Sequence, residues 1–499
     1  MSNTRYKLHW VTAIIEVLKT LKEMILPLII LFFANGFKDM SSGKWYLDYL
    51  TFIIFGVVII MFFTTGIIKW KRFVYWFEDD ELRIEYGLFV KKKRYIPFDR
   101  IQSLDYTEGI LHRPLKLVKV KVETAGNTSA LKSEAELTAI TKEAASRIEA
   151  EMAASKRRKT AVSIDEGELM EVIQEEVEPL SKPIFTMSKK DLLILATTSG
   201  GIGLILSGAL IFLLQFSEFI PFEKMYRELA GFVKYGVFIV VIAVTLGFLV
   251  VWALSVAMTF LSYYNFSVTL DKQDLVITKG LIEKKRATVP LNRVQSVRII
   301  ENPFRQLFGY ATVAIDNAGG GLGEGAKIHL FPLVKKADIY GPLQELFPEL
   351  LLEEPTCKLP ARGKRYFYRI DFLWMLPAIG ALTYFFFPYG LLSLLIIPIF
   401  VLFGLWQHRS GAYAISGNQL TLRFRGFSLQ TAYLMKKRIQ SMEMKQNYFH
   451  KRKSVATLSA RIKSGATMFN AQVRHMEESE AEQILTWYEP SVKEESRGI

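Results

Sequence analysis

Three copies of one short string, each preceded at a similar distance by a long apolar block, constrain this 499-residue chain more than any other feature. The copies read Pro97-Phe98-Asp99-Arg100-Ile101-Gln102-Ser103, Pro290-Leu291-Asn292-Arg293-Val294-Gln295-Ser296 and Met435-Lys436-Lys437-Arg438-Ile439-Gln440-Ser441. A unit of membrane anchor plus soluble module, used three times, gives this pattern.

Residues 49–68 form an uncharged run of 20, enough to cross a hydrocarbon core of about 30 Å as a helix. The shorter run 24–37 completes a hairpin with it. Residues 192–217 and 235–270 are free of charge and supply a second pair. The third pair is one uncharged stretch, 372–406, broken at Pro388-Tyr389-Gly390, where proline and glycine favour a reversal over one very long helix. Each half of it has about 16 residues, or about 24 Å of helix, short for a full span. The expectation is about six transmembrane helices in three hairpins.

Cations set the orientation. Lys69, Lys71, Arg72, Lys189, Lys190, Arg362, Lys364, Arg365, Arg369 and Arg409 flank the anchors on the module side, whereas the connections inside the hairpins are balanced or uncharged. The positive-inside rule then places both termini and all three modules in the cytoplasm. From Met1 to Leu21 no short apolar core precedes a small-residue cleavage site, so no cleaved signal peptide is expected. Half of the residues are hydrophobic and the net charge is +14. Such a charge suits nucleic acid or an anionic membrane, and the anchors select the membrane. A single cysteine, Cys357, excludes an internal disulfide framework.

Within the modules, Glu81–Phe89, Asp274–Ile282 and Gln419–Gly426 alternate apolar and polar residues into a glycine, the pattern of a half-buried strand entering a turn. Further strands are expected at 117–124, 311–317 and 456–462, and closing helices at 136–152, 334–347 and 477–487. Short strands sealed by one helix make a small antiparallel barrel or bent sheet. The resulting division is hairpin 1–72, module 73–155, charged linker 156–187, hairpin 188–262, module 263–350, linker 351–365, hairpin 366–408 and module 409–490. The linker after the first module joins a basic cluster, Lys156-Arg157-Arg158-Lys159, to an acidic stretch, 165–178, a composition that favours a solvated, partly disordered linker with a helical start over contact of the basic cluster with anionic lipid.

The repeated Pro-x-x-Arg-[Ile/Val]-Gln-Ser, the glycine turn before it, the Ala-Gly after it at Gly126 and Gly319, and the helix pair before each module resemble one family. It is the bacterial PH-like membrane proteins (bPH_2, DUF304) of the YdbS/YdbT type, in the long three-module form. Copy three lacks the proline and the Ala-Gly, and matches by position as much as by residues. The resemblance implies a pleckstrin-homology-like fold of seven strands capped by a helix, so the fold class is a polytopic α-helical membrane protein carrying three α+β PH-like β-barrel domains. It also implies a bacterial cell membrane, a role at the envelope in stress or antimicrobial-peptide tolerance, and a hetero-oligomer with a one-module membrane relative.

Four motifs have both a functional and a structural reading. Arg100, Gln102, Arg293, Gln295, Arg438 and Gln440 would either clamp a carboxylate or phosphate or satisfy the barrel's own polar groups. Lys91, Lys92, Lys93, Arg94, Lys284, Lys285 and Arg286 would either touch anionic lipid or guard an edge strand. Ser199, Gly203 and Ser207, four apart on the third span, make a seam for close helix packing. The glycines from Gly319 to Gly325 suggest a phosphate loop but lack the Gly-Lys-[Ser/Thr] that follows one, and read as a hairpin tip.

The six histidines have no metal spacing, and no nucleophile motif or spaced carboxylate pair is present. Neither an enzyme nor a cofactor is expected. The sequence therefore reads as a multivalent scaffold at the inner leaflet, binding lipid head groups, a peptide or a sister membrane protein, with anionic lipids as partners and no nucleic acid. A lipid or peptide exporter of the flippase kind is the alternative, disfavoured because the spans carry no ionisable residue away from their ends.

Overall fold

Each module is made of seven strands, and its first strand lies upstream of the module's apolar segment. The computed structural model describes residues 4–19, 21–22, 45–124, 135–162, 182–199, 237–318, 327–385, 387–465 and 467–489. In module one, β1 (Tyr6–Lys7) pairs with β2 (Val74–Glu78) across the whole intervening apolar segment, Tyr6 standing opposite Tyr75. β3 (Glu81–Tyr86) and β4 (Lys92–Pro97) complete a four-stranded antiparallel sheet. β5 (Ile101–Glu108), β6 (Leu117–Thr124) and β7 (Ala135–Thr141) form the second layer, closed by the helix Lys142–Val162. Alternation decides the inner face: Leu82, Ile84, Ile96, Val118, Val120 and Val122 point into one buried core.

The plan recurs in the other two modules. Module two uses β8 (Lys182–Thr186), β9 (Ser267–Asp271), β10 (Asp274–Lys279), β11 (Lys284–Pro290), β12 (Val294–Glu301), β13 (Tyr310–Asn317) and β14 (Lys327–Lys335), with the helix Tyr340–Leu346. Module three uses β15 (Cys357–Lys358), β16 (Ala412–Ser416), β17 (Gln419–Arg425), β18 (Leu429–Met435), β19 (Ile439–Lys445), β20 (Val455–Ser464) and β21 (Thr467–Glu477), with the helix Glu478–Tyr488. In all three, the strand before the apolar segment is hydrogen-bonded to the strand after it.

The modules are not separate. β5 of module one pairs with β11 of module two, and β12 of module two with β18 of module three, each junction making one continuous seven-stranded sheet. Tyr433 of module three is accordingly buried in the core of module two. Beside it a buried ion pair of module two is held by contacts from module three across the same junction. Asp316 accepts from Arg298 at 2.6 Å, from Ser464 of module three at 2.7 Å, and from Ser296, while the Arg298 guanidinium lies 3.8 Å from the centre of the Phe469 ring.

Three expectations about the helices need correction. The first closing helix begins at Lys142, because Ala135–Thr141 keeps a two-residue alternation and pairs with β6 as a strand. The second begins at Tyr340, because β14 continues to Lys335. Among the described residues two helices are long and apolar enough to cross a membrane, Thr245–Tyr263 and Gly390–Ser410, rather than about six. Residues 24–37 and most of 192–217 lie outside the described residues, and Met375–Phe385 is a shorter apolar helix. The helix Trp45–Arg72 carries the uncharged run 49–68. Only 6% of the residues in the Thr245–Tyr263 segment are buried, which no core helix of a soluble protein would tolerate.

Candidate membrane-facing surface

Two loops of each module gather at the pole where the apolar helices end. The first is the glycine turn between the third and fourth strands. Gly87 and Gly280 have φ of +133° and +105°, and a Cβ on either would lie 2.0 Å from the carbonyl oxygen of Val90 or Glu283. Only glycine closes so tight a turn. Its tip is apolar and bare: Phe89 is 91% exposed, and Val90, Leu281, Ile282 and Phe427 also face outward. The turn is tied to the membrane helix. Gly280 and Leu281 donate their N–H groups to Tyr264 and Leu261 at 2.9 Å, and Arg72 donates to the Leu88 carbonyl.

The second loop joins the fifth and sixth strands. In module two Asn302 accepts from the Phe304 N–H and Pro303 opens a short helix, Pro303–Leu307, which Gly309 ends. Phe304, Leu307 and Phe308 project from it, 64%, 79% and 66% exposed. Arg305 holds the loop in place by donating to Thr198 at 3.1 Å and Ser199 at 3.3 Å on the apolar helix, and to Thr312 at 2.8 Å. Module three repeats the device. Tyr448 and Phe449 are exposed, and Tyr366 of the third hairpin donates to the Phe449 carbonyl at 2.8 Å. Module one presents Ile110, Leu111 and Leu115 there. These fingers were missed in the sequence, although bulky apolar residues beside a cation inside a turn signal, as in Asn302-Pro303-Phe304-Arg305, could have revealed them.

The basic residues divide by position. Lys91 and Lys284 follow the apolar tips, and Lys92, Lys93, Arg94, Lys285 and Arg286 continue along β4 and β11 away from the pole. Lys91 and Lys93 also pair with Glu85, at 2.6 and 3.6 Å. Lys284, Lys285 and Arg286 stand in the junction opposite Glu108, Thr107 and Tyr106. Between modules one and two lies a cleft of about 580 Å³. Lys142, Lys284 and Arg286 line it together with Glu108, Glu149 and Asp271, a balance of charge that gives it no preference for an anion.

The repeated arginine motif lies at the opposite pole. Arg100, Arg293 and Arg438 each end a three-residue 3₁₀ turn that carries the chain from one sheet to the other. The ladder of the following strand skips one residue in every copy, and that residue is Gln102, Gln295 or Gln440. The motif thus builds a corner and a β-bulge. Gln295 donates to the Arg293 carbonyl at 2.9 Å, and Arg438 reaches the Asn292 carbonyl of the preceding module at 2.7 Å. Of the expected packing seam, Ser199 accepts from Arg305, and Gly203 and Ser207 lie outside the described residues, as do the glycines from Gly319 to Gly325 and the acidic linker stretch.

An array of seven-stranded modules joined edge to edge, each interrupted after its first strand by an apolar segment, is a tandem PH-like membrane protein. The chain belongs to the bacterial PH domain family, whose model matches residues 25–156, 210–346 and 372–492. It is also 37% identical over 492 residues, 97% of each chain, to the UPF0699 transmembrane protein YdbT of Bacillus subtilis (strain 168).

Proposed function

We propose that this membrane protein is a multivalent scaffold that holds three PH-like modules against the inner leaflet, where they bind lipid head groups, a peptide or a sister membrane protein. In this reading three hairpins make six spans, and both termini and all modules are cytoplasmic. Pairing of the strands that flank each hairpin supports an even number of crossings, since it returns the chain to the face it left. The cations beside the anchors support the cytoplasmic side. A role in envelope stress or antimicrobial-peptide tolerance comes from the family resemblance.

The observation that carries the proposal is the gathering of bare apolar fingers and nearby cations at the pole of the apolar helices. Fully burying a Phe or Leu side chain contributes about 1.5–3 kcal/mol, and each lysine or arginine near anionic lipid about 1 kcal/mol. Fixed anchors make each weak contact effectively intramolecular, so several act together.

The test uses full-length chain in nanodiscs, in a Cys357→Ser background, with single cysteines placed by Leu307→Cys, Phe449→Cys or Phe89→Cys and labelled with a fluorophore. Spin-labelled lipids should quench all three, and should leave a label at Lys272→Cys, on the turn at the far pole, unaffected. Equal quenching at all four sites, or none at any finger, would refute the proposed arrangement.

A further inference from the structure

The two internal junctions are built alike, and the ends of the array present their unused halves. Ala287, six residues before Arg293, stands opposite Asp105, five after Arg100. Ala432, six before Arg438, stands opposite Arg298, five after Arg293. The register is therefore the same in both. At one end of the array β4, the counterpart of β11 and β18, is the edge of a four-stranded sheet. At the other, β19, the counterpart of β5 and β12, is the edge of a three-stranded sheet. Among the described residues no strand pairs with either free edge.

Burial records the missing neighbour. Every residue of β12 except Ile300 is buried, whereas in β19 only Ile439 is. The inward-facing Met442 and Met444 remain half-exposed against the core of module three. Tyr433, five residues before its motif arginine, is 1% exposed because it fills the core of the preceding module, while Tyr95, five before Arg100, is 52% exposed.

We propose that β4 of one copy of this chain pairs with β19 of another in the register of the internal junctions, so that copies join head to tail through a third kind of seven-stranded sheet. That register puts Tyr95 opposite Met442, a favourable ring–sulfur pairing, and Arg94 opposite Glu443, a pair of opposite charges. Lys93 falls opposite Met444, and the single like-charge pair, Lys92 with Lys445, lies at the solvated end of the ladder. The lysines of β4 do not mark it as a guarded edge. Lys284, Lys285 and Arg286 occupy the corresponding place in β11, and that strand is paired. The contact is heterologous, so it builds an open row or a closed ring. It rests on the proposed scaffold reading only for the orientation of that row along the membrane.

Two Cys357→Ser chains, one carrying Arg94→Cys and the other Glu443→Cys, are reconstituted together and oxidised. A cross-link between the two chains is expected, and none when Lys272→Cys replaces Arg94→Cys. Sedimentation of the solubilised chain should show concentration-dependent association that Tyr95→Asp weakens about tenfold or more, with an unchanged circular-dichroism spectrum. Absence of the specific cross-link, or association indifferent to Tyr95→Asp, would overturn the proposal. So would cross-linking of these cysteines to a different, co-expressed PH-like membrane protein without cross-linking between copies. Lipid quenching of the fingers is read on single chains in nanodiscs, so either reading can fail without the other.

Discussion

Replacing Asp316 by alanine should uncouple modules two and three more than any surface change. Asp316 is fully buried, and the Arg298 guanidinium it holds at 2.6 Å is nearly so. With an effective dielectric of about 20 and charge centres about 4 Å apart, their attraction is about 4 kcal/mol. Arg298 cannot return to water when its partner is removed, because β18 and the Phe469 ring cover it. The Ser296 and Ser464 hydroxyls lose their acceptor as well. Breaking a buried pair in this way costs about 3–5 kcal/mol, and replacing both partners by apolar groups of similar volume is often neutral. The assay is thermal unfolding of the detergent-solubilised chain followed by tryptophan fluorescence. Asp316→Ala should lower Tm by about 10 °C, at about 2–4 °C per kcal/mol. Arg298→Met combined with Asp316→Leu should recover most of that loss. A shift below about 2 °C for the single change, or a double variant no better than the single, would refute the reasoning.

Three further outcomes are expected. Burial, reinforced by the nearby His450, pushes the His475 imidazole down from 6.5 to about 3, so between these values the unfolded chain binds the extra proton and stability falls as pH falls. At pH 5 this costs about 2 kcal/mol, and His475→Phe should flatten the pH dependence of unfolding between pH 7 and 5. Gly280→Ala should destabilise module two, since its Cβ meets the Glu283 carbonyl oxygen at 2.0 Å, whereas Gly341→Ala, with open space around it, should be tolerated; equal melting temperatures would argue against a tight turn. Reversing Lys91, Lys92, Lys284 and Lys285 to glutamate in the full-length chain should reduce the anionic lipid retained through purification, and unchanged lipid content would assign these lysines to the strands alone. Excised modules are unsuited to that last measurement, because cutting the chain between modules splits a seven-stranded sheet.

The sequence alone determined the units and their number. Period-two alternation, glycine turns, uncharged runs and a thrice-repeated corner are local properties, set by backbone sterics and by the preference of apolar groups for lipid or core. The repeated Arg-[Ile/Val]-Gln was visible at once, yet its part in a 3₁₀ corner with a bulged glutamine is a matter of ladder register, which one strand cannot specify without its neighbour. Only the tertiary structure could decide that Tyr6–Lys7 is a first strand rather than part of the first hairpin unit, and that Lys182–Thr186 and Cys357–Lys358 are first strands rather than linker, since pairing across a long apolar insertion leaves little trace in so few residues. The same holds for the shared sheets. Tyr95 and Tyr433 occupy equivalent places two residues before the string, and what separates an exposed ring from a buried one is whether another module supplies the neighbouring strand.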